Sequence, residues 1–162
     1  MEHEGILIGV AQIGAVFAGF LALVLVFSSN GERAEPVSAM HGRSVLYSSF
    51  LTIFGALFPL ALFAAGLDEA LAWRIPAGAV LPAALPMLAE SLRFYLRMSA
   101  EQRRALGLAI PITSWTISGI GVTLSVLVAA GLLAGPVFVL AMVFALSAVT
   151  VNFMALALQR WL

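Results

Sequence analysis

The chain has 162 residues, of which 62% are hydrophobic and 10% are charged, and its mean hydropathy of +1.08 lies far above that of water-soluble globular domains. Eight arginines balance eight carboxylates and there is no lysine, so the sequence has no basic surface for nucleic acid. The absence of cysteine excludes disulfides and Cys-ligated metals, and the absence of lysine excludes a Schiff base. The composition excludes a soluble enzyme and predicts an all-α integral membrane protein.

Two uncharged apolar runs in the first part of the sequence each match the length of one membrane crossing. A helix rises about 1.5 Å per residue and the hydrocarbon core is about 30 Å thick, so one crossing needs roughly 20 apolar residues. The first run predicts a transmembrane helix over residues 5–27, and the second predicts one over residues 44–67. The loop between them carries Arg33, His41 and Arg43 and is expected to be solvated.

The third apolar segment, residues 75–97, is interrupted by prolines and charged residues. Pro76 is expected in a first helical turn, where its missing N–H would have no partner anyway. Pro82 and Pro86 would lie inside the helix, where each is expected to bend it. Because Glu90 also lies in this segment, hydropathy alone does not decide whether the segment crosses the membrane.

The remaining apolar sequence, residues 105–159, contains no charge and would be about 80 Å long as one helix. It therefore has to fold back once. The strongest turn chemistry lies at residues 131–136, which contain two glycines and a proline. This turn predicts a fourth transmembrane helix over residues 106–132 and a fifth over residues 137–158.

The distribution of arginines favours a five-transmembrane-helix bundle with the N-terminus outside and the C-terminus cytoplasmic. This topology places seven arginines on the cytoplasmic side and only Arg74 outside, as the positive-inside rule requires. With four crossings, the best orientation would place six arginines on the cytoplasmic side and two outside. No linker or repeat divides the chain, so residues 1–162 are expected to form a single transmembrane helical domain. Abundant Ala, Gly and Pro with only arginine as basic residue suggest a multi-pass protein of a bacterial plasma (inner) membrane.

Small and weakly polar residues recur at helical spacing on the predicted helices. Helices in lipid associate through close packing of small residues and through interhelical hydrogen bonds, so these faces predict helix packing. The alternative is a hydroxyl-lined pore around the fourth helix. The candidate packing or pore-lining residues are Ser48 and Thr52 on the second predicted helix and Ser114, Ser118, Gly121 and Ser125 on the fourth.

Asn152 lies within the fifth predicted helix. A carboxamide without a partner in hydrocarbon costs several kcal/mol, so Asn152 is expected to form a hydrogen bond. The hydroxyls of the fourth predicted helix are the nearest groups that can form this hydrogen bond. The alternative is the same carboxamide of another subunit, as a buried Asn specifies oligomers in coiled coils.

Glu90 is the carboxyl group predicted to lie within the hydrocarbon, about 15 residues or roughly 23 Å past the start of the third crossing. An intramembrane carboxyl group is a functional candidate by default. It either pairs with Arg93 on its own helix or carries a proton, because hydrocarbon disfavours the charged form. Arg93 and Arg97 are expected to reach the inner headgroups. If the helix continues past the membrane, Glu101 shares this face and pairs with Arg97 or Arg104.

The sequence offers little for catalysis and predicts no catalytic, cofactor-binding or metal site. Glu32, Glu35, Asp68 and Glu69 lie in predicted loops, so Glu90 has no second acid at its depth. His3 and His41 are predicted on opposite sides of the membrane, so they cannot jointly hold a haem or a metal ion. No nucleophile motif is present.

Two functions remain from the sequence. The first is a non-catalytic membrane protein, a self-associating accessory or assembly module packed through its small-residue faces. Its partners would be membrane lipids and either further copies or other membrane subunits. The second is a small oligomeric ion channel or transporter, with Glu90 and the proline-bent third helix at the permeation path.

Overall fold

The computed structural model describes residues 3–28, 36–106 and 109–158, and in these ranges the chain is helical with no strand. The helices are α1 (Glu4–Ser28), α2 (Pro36–Ala64), α3 (Glu69–Ala79), α4 (Leu81–Arg97), α5 (Ala100–Leu106), α6 (Ala109–Ala129) and α7 (Val137–Leu158). Five segments are long and apolar enough to cross a membrane, namely Glu4–Leu23, Met40–Ala64, Glu69–Arg97, Ala109–Ala129 and Val137–Ala157. The predicted all-α architecture with five apolar segments of spanning length is confirmed.

The long helices run in alternating directions, with α2 and α7 at the centre. Helix α2 packs against α1, α3, α4 and α7, while α6 packs against α3, α4 and α7. One end of the bundle is built around Trp73, whose ring contacts His3 and Phe63 edge to face. The opposite end, where α2 begins and α4 ends, is called the arginine-rich end. Its described arginines are Arg43, Arg93, Arg97, Arg103 and Arg104, whereas Arg74 lies near Trp73, and Arg33 and Arg160 fall outside the described residues.

Residues 75–97 form parts of two helices instead of one bent helix. Helix α3 starts at Glu69 because the Asp68 side chain caps it: Oδ1 accepts hydrogen bonds from the backbone N–H of Ala70 at 2.8 Å and of Leu71 at 3.3 Å. Pro76 therefore lies inside α3, and its expected place in a first turn is wrong.

The break between α3 and α4 falls at Val80. Pro82 then lies in the first turn of α4, where its missing N–H removes no helical hydrogen bond. Only Pro86 lies in the interior of α4. Val80 itself keeps helical dihedral angles, and hydrogen bonds run from its N–H to the Pro76 carbonyl and from the Ala84 N–H to its own carbonyl. Helices α3 and α4 therefore follow each other across a one-residue interruption.

Helix α2 begins at Pro36, eight residues before the predicted start, so His41 and Arg43 are helical and do not belong to a loop. A proline at the first helical position is favourable, and the charge of Arg43 does not stop a helix. The α1 bounds agree with the prediction within one residue, α7 has the predicted bounds, and α6 is three residues shorter at each end.

The charged face predicted to continue from Glu90 towards Arg104 is interrupted. Ser99 and Gln102 form a reciprocal capping box: Ser99 Oγ accepts from the Gln102 N–H at 3.2 Å, and Gln102 Oε1 accepts from the Ser99 N–H at 2.9 Å. This box starts the separate helix α5. Within the described residues, Glu101 forms no ion pair with Arg97 or Arg104.

Candidate functional site

A buried hydrogen-bonded cluster centred on Asn152 joins three helices near the arginine-rich end. The Asn152 Nδ2 group of α7 donates to Ser114 Oγ of α6 at 2.8 Å and to the Ala148 carbonyl at 2.8 Å. Its Oδ1 lies 3.1 Å from His41 Nδ1 of α2. The predicted hydrogen bond between Asn152 and a hydroxyl of the preceding long helix is confirmed, and it lies within one chain.

His41 is 2% exposed, so its expected place in a solvated loop is wrong. Since both Asn152 amide protons are used elsewhere, Asn152 Oδ1 must accept, and His41 Nδ1 must carry the donated proton. His41 Nε2 is buried and has no hydrogen-bond partner among the described residues. The spacing of His41, Val45, Ser48 and Thr52 by four, three and four residues is the sequence signal that extends the small-residue face of α2 to this histidine.

Two of the predicted packing or pore-lining hydroxyls bond to their own helices. Thr52 Oγ1 donates to the Ser48 carbonyl at 2.7 Å, and Ser125 Oγ donates to the Gly121 carbonyl at 2.9 Å. Ser48 Oγ reaches across to Met87 Sδ at 3.7 Å. Two of these hydroxyls thus bond within their own helices, while Ser48 and Ser114 each contact a neighbouring helix.

Ser48, Ser118, Gly121 and Ser125 line one small cavity between α2, α4, α6 and α7, together with apolar residues such as Met142. Its volume of about 30 Å³ suits about one water molecule. Within the described part of the chain, these residues pack four helices together around this small cavity.

Glu90, Arg93 and Arg97 are exposed on α4. The predicted ion pair between Glu90 and Arg93 is not formed, and Glu90 has no other ion pair with a described residue. Instead, Glu90 lines a surface groove between α2 and α4, whereas Arg93 lies outside it. The structure thus brings Glu90 next to residues of α2, which sequence spacing does not reveal.

This groove, named the α2–α4 groove, has a polar part of about 320 Å³ and an apolar part of about 480 Å³. The polar part contains Arg43 from α2 and Glu90 from α4. The apolar part extends from Glu90 back to the helix break at Val80. Both parts share Tyr47, Met87 and Glu90, so they form one continuous surface feature.

The outward face of α1 is a second open feature. A side chain at Gly5, Gly9 or Gly19 would meet nothing within 4 Å, whereas one at Gly14 would lie 3.3 Å from the Ser49 carbonyl. Gln12 shares the outward face, is exposed and has no hydrogen-bond partner among the described residues. Gln12, like Asn152, is a carboxamide within an apolar helix and needs a hydrogen-bond partner there, which is the sequence signal that could have identified it.

The fold and these features define a helical bundle with five apolar segments, a small interior cavity and two open outer surfaces. Within residues 3–28, 36–106 and 109–158, no group of three or more His, Asp or Glu side chains is arranged to hold a metal ion. Comparisons with protein families, curated proteins and solved structures find no match for this chain.

Proposed function

We propose that the chain is a non-catalytic, multi-pass protein of a bacterial inner membrane that self-associates as an accessory or assembly module. The five apolar segments support insertion in the membrane. The clustering of arginines at one end supports a topology with that end in the cytoplasm and the N-terminus outside.

The small volume of the interior cavity supports a non-catalytic role. Small-molecule sites are usually cavities of about 300–1,000 Å³ that enclose most of the ligand. The interior cavity beside Ser48 and Ser118 has only about 30 Å³, and the buried Asn152 carboxamide is fully engaged in hydrogen bonds. The exposed outer surfaces are therefore the better candidates for function.

The observation that carries self-association is the unpaired carboxamide of Gln12 on the outward face of α1. In a membrane, Gln12 lies about 12 Å from the start of α1, well inside the hydrocarbon. An unpaired carboxamide there costs several kcal/mol, and the same group of a second copy can remove that cost.

The glycines beside Gln12 permit the close approach that such a pairing needs. Gly5 and Gly9 are four residues apart, which is the spacing of close transmembrane helix contacts, and Gly19 continues the open face. By contrast, Gly14 and Gly121 already pack inside the bundle. Self-association is therefore proposed through α1, and the small-residue faces of α2, α6 and α7 are assigned to packing within one chain.

The test compares Gly9→Leu and Gln12→Leu with a matched control, Gly119→Leu. Gly119 is also helical, and a side chain there would meet nothing within 4 Å. We expect the wild-type chain and Gly119→Leu to form the same oligomer, while each α1 variant weakens association at least tenfold, which is about 1.4 kcal/mol. Association is measured by cross-linking in membranes and by light scattering of the purified protein. A monomeric wild type, or equal association of all four proteins, contradicts the proposal.

Transport is a second candidate function because Glu90 lies without an ion pair in the α2–α4 groove. Because the interior cavity of the described bundle has a volume of only about 30 Å³, a permeation path would run between copies along this groove. A reconstituted wild-type oligomer that conducts neither protons nor cations would eliminate this candidate.

A further inference from the structure

The α2–α4 groove has the dimensions of one half of a bilayer. Its apolar part starts at Val80, between α3 and α4, and reaches Glu90 ten residues later, about 15 Å along the helix. This length is half of the roughly 30 Å thickness of the hydrocarbon core. The groove thus spans one leaflet and ends at the arginine-rich end.

The polar part of the groove presents two opposite charges on facing helices. Arg43 of α2 and Glu90 of α4 both line this part, both are exposed, and no ion pair joins them. Ser91 lies beside them, and its Oγ accepts a hydrogen bond from Trp115 Nε1 at 3.1 Å, which fixes the position of the hydroxyl. The space between the two helices is therefore suited to a group with both charges.

The apolar part of the groove presents aromatic and proline rings. Phe54 is 68% exposed, its ring stacks on that of Phe50 at a centroid distance of 6.4 Å, and both face the same groove as Pro82 and Pro86. The described part of the chain covers none of this surface. It is suited to a flexible hydrocarbon chain, which can follow an elongated and shallow groove.

We propose that the α2–α4 groove binds one zwitterionic phospholipid with a primary ammonium headgroup. The lipid phosphate pairs with the Arg43 guanidinium, the ammonium group pairs with the Glu90 carboxylate, and one acyl chain lies along Phe54 and Pro86. A trimethylated ammonium has no N–H to donate, and a glycerol headgroup has no positive charge. The site therefore prefers phosphatidylethanolamine. The inference rests on the proposed membrane insertion and is independent of self-association.

The test measures lipid retention by native mass spectrometry with phosphatidylethanolamine, phosphatidylcholine and phosphatidylglycerol of identical acyl chains. We expect the wild type to retain one phosphatidylethanolamine molecule at about tenfold lower lipid concentration than either other lipid. Arg43→Gln should weaken retention of all three lipids. Glu90→Gln should remove the preference for phosphatidylethanolamine over phosphatidylglycerol, because it removes the group that attracts ammonium and repels a net negative lipid.

Two control variants separate this site from general surface charge. Arg93→Gln and Glu101→Gln change exposed charges outside the groove and should leave the lipid preference unchanged. Equal retention of the three lipids by the wild type, or no effect of either groove variant, overturns the inference. Dissociation of an oligomer by Arg43→Gln would instead assign the groove to a second copy and also overturns it. Lipid retention is also measured on Gly9→Leu, in which self-association through α1 is expected to be weakened. This comparison separates an effect of Arg43→Gln on lipid binding from a failure of self-association.

Discussion

Asn152 is the residue on which the packing of α2, α6 and α7 converges. Its carboxamide donates two hydrogen bonds and accepts one, so none of its polar groups is left unpaired in the bundle interior. Such bonds matter because a buried polar group that loses its partner costs more than the bond itself contributes. The cluster therefore selects this arrangement of three helices over others with equally good apolar contacts.

Asn152→Leu is expected to destabilise the folded bundle by about 1–3 kcal/mol, because it leaves the His41 Nδ1–H and Ser114 Oγ buried without their partner. Unfolding by a denaturing detergent measures this loss. The control is Thr150→Leu, an exposed position on the same helix whose hydroxyl bonds only to Leu146. Because the Asn152 bonds lie within one chain, the oligomer should persist, and its dissociation would place Asn152 between copies.

For single residues, the sequence predicts which side chains need a hydrogen-bond or ion-pair partner better than it predicts which residue that partner is. The partner of Asn152 was predictable because a carboxamide in an apolar helix needs a hydrogen bond and the preceding helix is rich in hydroxyls. His41 was not predicted, because the charge of Arg43 placed both residues in a loop. Glu90 was expected to pair within its own helix, and only the tertiary packing shows that it faces α2 instead.

Helix α6 lies in close contact with α7 at Gly121. A Cβ atom at this position would lie 3.2 Å from the Ala141 carbonyl oxygen and 3.4 Å from Phe144 Cβ. The first of these neighbours is backbone, which cannot move aside as a flexible side chain can. The separation of the two helices is therefore set by the absence of a side chain on α6.

Gly121→Ala is expected to push α6 away from α7 and to destabilise the bundle by about 1–3 kcal/mol. Gly119→Ala is the matched control, because it adds the same methyl group two residues away where nothing lies within 4 Å. That control should be neutral or stabilising by up to about 1 kcal/mol, since alanine favours helix over glycine. Thermal unfolding compares the two, and equal stabilities would contradict the close contact.

The third apolar segment shows what a pattern of prolines can and cannot predict about helix boundaries. Prolines indicated an irregular helix within residues 75–97, and the structure has one interruption there, at Val80. Their positions did not reveal where the break falls, because the Asp68 cap starts α3 early enough to place Pro76 in its interior. The outcome depends on the competition between a capping side chain and the prolines, and on packing that local sequence does not contain.

For the molecule as a whole, hydropathy predicts the number and order of the apolar segments. It does not predict which face of each helix packs inside the bundle. Gly9 and Gly14 are both glycines of α1, yet one is open and the other packs against α2. No periodicity within α1 distinguishes them. Which small residues remain available to a partner is therefore decided by the assembled bundle, and the proposed α1 surface required the tertiary structure.

The absence of native cysteine permits a direct test of the proposed topology. Single substitutions Arg104→Cys and Arg74→Cys place one thiol near each end of the bundle. In intact cells, a membrane-impermeant maleimide is expected to label Arg74→Cys and to leave Arg104→Cys unlabelled until the membrane is permeabilised. Labelling of both thiols from outside would contradict an odd number of crossings between them.

The contact between His41 and Asn152 links residues 111 positions apart in the chain. At about 5–20 residues per second, the ribosome makes the second roughly ten seconds after the first. Until then, the imidazole of the nascent chain must keep water, lipid headgroups or the insertion machinery as its neighbour. A product that stops before α7 lacks the Asn152 carboxamide, so its His41 Nδ1–H has no partner on α7.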